Sequence, residues 1–103
     1  MTFEVIFRPR AESDLFNLYT YIAYDSGSED IAFEFVSKLE AACLSLAESP
    51  DRGVPRDDVV KGLRILPVER RSVIAYFVAG DRVEIAAIFH GGQDWQAFFG
   101  ETG

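Results

Sequence analysis

Two runs of β-branched and aromatic residues dominate the chain's hydrophobic pattern. They are Val73-Ile74-Ala75-Tyr76-Phe77-Val78 and Val83-Glu84-Ile85-Ala86-Ala87-Ile88-Phe89, joined by Ala79-Gly80-Asp81-Arg82. They predict a β-hairpin, with Gly80 and Asp81 supplying the positive φ angles of a tight turn. With those two residues as the loop, Val78 faces Val83, Tyr76 faces Ile85 and Ile74 faces Ala87. Alternation then places Ile74, Tyr76, Val78, Val83, Ile85, Ala87 and Phe89 on one face. Arg71, Val73, Ala75, Phe77, Glu84, Ala86, Ile88 and His90 fall on the other, which sets His90 opposite Arg71. The first face is the more apolar and is the expected core. The second mixes small, apolar and charged residues, as a docking groove would. Neither face is purely polar, so both strands are expected to be central and partly covered on each side.

The rest of the pattern supplies what packs on that hairpin. Phe3-Glu4-Val5-Ile6-Phe7 reads as a strand stopped by Pro9, and Leu63-Arg64-Ile65-Leu66 reads as another. Between them, Ala11, Leu15, Leu18 and Ile22 recur at helical spacing behind Pro9, with Glu12 and Asp14 in the first turn. Ser26-Gly27-Ser28 breaks that helix. Either serine can cap the next one, and Ser26 with Glu29 has capping-box spacing. The second helix is expected from about Glu29 to Ser49, striped by Ala32, Phe35, Val36, Leu39, Cys43, Leu46 and Ala47, and ended by Pro50. Pro50 to Lys61 reads as a long polar surface loop. A short turn or helix follows around Trp95 to Phe99.

The order β-α-α-β-β-β predicts an α+β fold: a helical hairpin packed on a small, mostly antiparallel sheet, with a short C-terminal turn or helix. At 103 residues the chain is expected to form a single domain, 1–103.

Composition narrows the function classes. Apolar residues make up 49% of the chain, enough for a folded core. No apolar run reaches the length of a membrane helix, and no segment reads as a signal peptide. The single Cys excludes an internal disulfide, and Cys43 sits in a helical apolar stripe. These features point to the cytoplasm. The formal net charge of −7 lies entirely in residues 1–58, while residues 59–103 balance to zero. Lys61, Arg64, Glu69, Arg70 and Arg71 form a local basic window. Phosphate binding supplies most nucleic-acid affinity, so this balance argues against the chain binding DNA or RNA alone.

Familiar catalytic motifs are absent. There is no phosphate-binding glycine loop, no cysteine-rich zinc pattern and no second His to pair on a metal, so no metal or other cofactor is expected. His90 is read first as a packing residue that fixes the turn after it, with Asp94 as partner. Its second reading is a general acid or base beside Arg71. Trp95 reads first as a core plug and second as a binding platform. Gly91-Gly92 allows a sharp turn.

Four segments, taken in order, resemble the ParE branch of the ParE/RelE toxin superfamily of bacterial type II toxin–antitoxin modules. Ala11-Glu12-Ser13-Asp14-Leu15 with Tyr19-Thr20-Tyr21-Ile22 resembles the first helix. Ser49-Pro50-Asp51-Arg52-Gly53 resembles the stop after the second. Gly62-Leu63-Arg64 with Leu66-Pro67-Val68 resembles the second strand. Val83-Glu84-Ile85 with His90-Gly91 and Asp94-Trp95 resembles the last strand and tail.

The resemblance implies a small cytoplasmic toxin that poisons DNA gyrase by protein contact. It also implies a hetero-oligomer with a ParD-like antitoxin. Arg64, Arg70, Arg71, Phe77, His90, Asp94 and Trp95 are the residues expected to meet partners. RelE-like relatives imply a rival, a ribosome-dependent mRNA endoribonuclease using His90, Arg64, Arg70 or Arg71. A third reading is a toxin-fold binding module without toxicity. The chain departs from the pattern at Phe77, Ala87 and Gln93, where family members often carry basic residues. Those departures remove cations that an RNA-cleaving site would use.

Overall fold

A computed structural model describes residues 2–69 and 71–102, the last two by backbone alone. Strand β1 (Glu4–Phe7) leads into helix α1 (Pro9–Ser26), and α2 (Glu29–Leu44) follows directly. A two-residue β2 (Val54–Pro55) precedes β3 (Leu63–Val68), β4 (Ser72–Ala79) and β5 (Arg82–His90), and helix α3 (Trp95–Thr102) ends the chain. The five strands form one sheet in the order β1-β5-β4-β3-β2. Only the β1–β5 pair is parallel. The expected α+β architecture is therefore present, with α3 where a short turn or helix was expected and β2 as an addition inside the stretch read as a loop.

Local chemistry explains the element ends. Arg8 precedes α1 in extended conformation and Pro9 opens the helix, where its missing N–H costs nothing. Gly27 takes the left-handed conformation that closes α1. Ser28, not Ser26, caps α2, its hydroxyl accepting from the Ile31 N–H at 3.2 Å. Ser26 instead turns back and donates to the Ile22 carbonyl. Helix α2 ends at Leu44, earlier than its apolar stripe suggests, and a 3-10 turn over Ser45–Ala47 carries Leu46 into the core. In the β4–β5 turn Gly80 has φ 63°, while Asp81 is not among the positive-φ residues. One positive φ at the first turn position is the pattern of a II′ turn.

The hairpin register holds near the turn and fails beyond it. Val78 pairs with Val83 and Tyr76 with Ile85, as expected. A β-bulge then leaves Ala86 as an extra residue on β5, so Ala75 meets Ala87 and Ile74 meets Ile88. Because side chains alternate, one extra residue exchanges the faces of everything after it. Ile88 and His90 thus join Ile74 and Ser72 on the helix-covered face. Ala87 and Phe89, assigned to that core from sequence, lie on the opposite face. His90 stands opposite Ser72, not Arg71.

Both faces are core. Under α1 and α2, Leu18, Leu39, Cys43, Leu66, Ile74, Tyr76, Ile85 and Ile88 form the main cluster. Burial pushes the Cys43 thiol up to about 12, with Glu40 adding to the effect, so it stays protonated and unreactive. On the other face Leu63, Ile65, Ala75, Ala87, Phe89 and Phe99 form a second cluster, flanked by Trp95 and Phe98 of α3. The face read as an open groove is therefore closed by the chain's own C-terminal helix.

Candidate functional site

At the end of β5 the chain turns sharply through Gly91 (φ 74°) and Gly92 (φ 90°), conformations that glycine adopts without Cβ strain. His90 is fixed there from three sides. Its Nδ1 lies 2.8 Å from the buried Ser72 hydroxyl, and its ring meets Phe35 of α2 edge-on at 5.4 Å. Its backbone N–H donates to Gln93 Oε1 at 2.9 Å. Arg71 sits beside it at φ 63°, its guanidinium donating to the Gly91 carbonyl at 2.7 Å. The Gly91 N–H donates back to the Arg71 carbonyl at 2.8 Å. Arg71, His90 and Trp95 line a hollow of about 360 Å³. Of the residues expected to meet partners, Arg71, His90 and Trp95 line this hollow, while Arg64 and Phe77 do not.

Asp94 is not the partner of His90. Its carboxylate accepts from the Ala97 N–H at 3.0 Å and so caps α3. Trp95 packs half-buried against the second cluster with the Arg56 guanidinium 5.0 Å from its ring. Phe77 is also on that face, edge-on to Phe99 at 6.3 Å and 5.0 Å from the Arg8 guanidinium. Arg70 lies outside the described residues.

Arg64 serves the loop after α2. Its guanidinium donates to the Gly53 carbonyl at 2.6 Å and the Asp51 carbonyl at 3.1 Å. Beside it the Tyr76 hydroxyl donates to the Pro50 carbonyl at 2.7 Å and accepts from the Gly53 N–H at 2.8 Å. Burial raises the Tyr76 phenol above its ordinary pKa, and the Gly53 N–H opposes that by favouring the phenolate. No short-range sequence signal marks Tyr76 or Ser72 for these roles, because their bonds join segments far apart in the chain; the Gln93 bond is local, three residues from His90, and was not read from the sequence.

Burial, and then the Arg71 charge, hold the His90 imidazole below its ordinary value. The sign follows from proton uptake: near pH 6 the unfolded chain binds more protons at this site than the folded one. Stability from this residue is therefore full above the unfolded His pKa. It falls as pH drops through that value and levels off below the folded pKa. Thermal unfolding between pH 7.5 and 5.5 should show a lower Tm at the acid end, and His90→Gln should flatten that slope. An equal slope in the variant would mean that other groups carry it.

Comparison with known proteins is consistent in one direction. A family model described as the ParE toxin of the type II toxin–antitoxin system parDE matches residues 5–95. Toxin ParE1 of Caulobacter vibrioides is 30% identical over 91 residues, spanning 88% of this chain and 92% of that protein. The solved chromosomal ParDE TA system from P. aeruginosa is similar, with TM-score 0.76 and 22% identity over 86% of this chain and 96% of that one. The toxin–antitoxin complex RelBE2 from Mycobacterium tuberculosis gives 0.59 and 20% identity over 88% of this chain and 100% of that one. At those identities the two structures speak for the fold.

Proposed function

The chain belongs to the ParE toxin family of type II toxin–antitoxin systems, and on that premise we propose that it stops bacterial growth by protein contact with DNA gyrase. A cognate ParD-like antitoxin holds it inactive in a cytoplasmic complex. What supports contact over RNA cleavage is the engagement of the candidate groups among the described residues, Arg64, Arg71 and His90. Arg64 is spent on two backbone carbonyls and Arg71 on a third. His90 has one ring nitrogen on Ser72. Ala87 is buried in the second cluster, so no cation projects from that position. A phosphoryl-transfer transition state needs preorganised donors aimed at developing charge, and here Arg64 and Arg71 are aimed at backbone carbonyls and His90 at the Ser72 hydroxyl. The acidic balance also disfavours unaided RNA binding. Among the described residues no helix is long and apolar enough to cross a membrane.

Induced expression in bacteria tests the reading. Filamentation, DNA-damage signalling and cleaved-complex DNA are the expected outcome. Rapid translation arrest with codon-positioned mRNA cuts would sink it in favour of the endoribonuclease. His90→Gln should leave growth inhibition within a few-fold. A hundredfold loss in a well-folded variant, about 2.7 kcal/mol, would restore a catalytic role for His90.

A further inference from the structure

The turn between β3 and β4 is strained. Glu69 has φ 46° and Arg71 has φ 63°, a left-handed backbone that a Cβ disfavours. Such strain persists only where the surroundings hold it. Here Arg71 is tied to Gly91 twice, its carbonyl accepting the Gly91 N–H and its guanidinium donating to the Gly91 carbonyl. Glu69 and Arg71 are both exposed, and both line the hollow of about 360 Å³. Pro67, Val73, Phe89 and Trp95 supply its apolar walls. Its polar groups are left without partners. Elsewhere Arg8, Arg10, Arg56 and Arg82 each pair with a carboxylate. Among the described residues neither Arg71 nor Glu69 has an ion-pair partner, and they are not paired with each other. The Trp95 indole N–H has no acceptor among them either.

We propose that this hollow receives a loop of the gyrase target, which inserts one large apolar side chain flanked by an acid and a base. The inference rests on the gyrase reading above and gives it a contact surface. The hollow lies at the small end of the roughly 300–1,000 Å³ range of ligand clefts, so it suits a single side chain. Trp and Arg are the residue types that concentrate binding energy when they wall a desolvated interface pocket. Two unpaired charges of opposite sign, held apart, select an occupant that carries their complements. An acid answers Arg71 and a base answers Glu69. Nucleic acid is a poorer occupant. Its phosphates would meet Glu69 as well as Arg71, and the chain carries −7 overall. The strained turn serves preorganisation, because it sets both charges before the partner arrives.

The test uses the full chain with purified DNA gyrase and plasmid DNA. It reads gyrase affinity and cleaved-complex yield, with Tm as the check of folding. Pro67→Trp fills the hollow from an exposed position on β3. It should weaken gyrase binding at least tenfold with little change in Tm. Arg71→Glu and Glu69→Lys each reverse one charge, and each should also weaken binding at least tenfold. Should Pro67→Trp fold poorly, Glu69→Lys on the exposed turn carries the test. That variant also separates the partner classes, since a protein loop presenting a base binds it less well and phosphate binds it better. Unchanged or increased affinity in Glu69→Lys therefore overturns the mixed-charge protein occupant. Undiminished affinity and poisoning by a well-folded Pro67→Trp overturn the hollow while the gyrase reading stands. If the wild-type chain neither binds gyrase nor yields cleaved complexes, both fall together.

Discussion

Tyr76→Ala is expected to leave little folded protein at 37 °C. Tyr76 is fully buried under the helices, and it is the largest of the completely enclosed side chains. Truncating a buried aromatic ring costs about 3–5 kcal/mol, against a total of about 5–15 kcal/mol for a domain. The hydroxyl adds to this. It bridges the Pro50 carbonyl and the Gly53 N–H, and with Arg64 it holds the loop that leaves α2. That loop passes very close: a Cβ on Gly53 would come within 2.7 Å of the Tyr76 hydroxyl, so glycine is required for approach and not for a special φ. Tyr76→Phe separates the two effects, since it keeps the ring and leaves a buried N–H without its acceptor. It should cost about 1–3 kcal/mol. Urea titration of the three proteins at matched m-values measures both steps. Equal stability of Tyr76→Phe and wild type would remove the bridge from the account.

Ala87→Arg should detach α3 from the sheet. Ala87 is fully buried in the cluster that α3 covers with Phe98, Phe99 and Trp95. A guanidinium introduced there enters a cluster whose described members are all apolar, and leaving a charge buried and unpaired costs about 3–5 kcal/mol. Helix α3 spans eight residues, Trp95–Thr102, after a turn containing two glycines. Lifting it exposes apolar surface but rehydrates the cation, which is the lower-cost outcome. Trp95 is the only tryptophan, so its emission reports the event directly. A red shift with increased binding of an apolar dye is expected, with most of the helical signal of α1 and α2 retained. Unchanged emission and unchanged Tm would mean that the second face tolerates a long cation under α3.

The same position shows how far the sequence could be trusted. The resemblance to the ParE branch leads one to expect a basic residue where Ala87 stands, which is awkward for a residue placed in the main core by simple alternation. The bulge at Ala86 moves Ala87 to the opposite face, where it is again fully buried, so the structure leaves no room for a cation at this position on either face. The candidate site was legible only in part. Arg71, His90 and Trp95 do converge on one hollow. Asp94, expected to hold His90, caps a helix, and Ser72 and Gln93 take the role assigned to it. Asp14, read as a helix-dipole residue, also satisfies a strand amide 74 positions away.

Sequence alone determined the main elements and their order, though not β2 or the early end of α2, because periodicity, prolines, glycines and capping serines act over a few residues. It also determined the tight hairpin near Gly80, where turn chemistry fixes register at short range. Tertiary structure decided which face each β5 residue occupies past the bulge and which cations are already committed to carbonyls. It also decided that α3 covers the second face and that Asp14 of α1 meets a β5 amide. Each of these rests on contacts between distant segments. A single unpaired residue reverses a strand's faces without leaving a mark in its hydrophobic pattern when both faces are apolar.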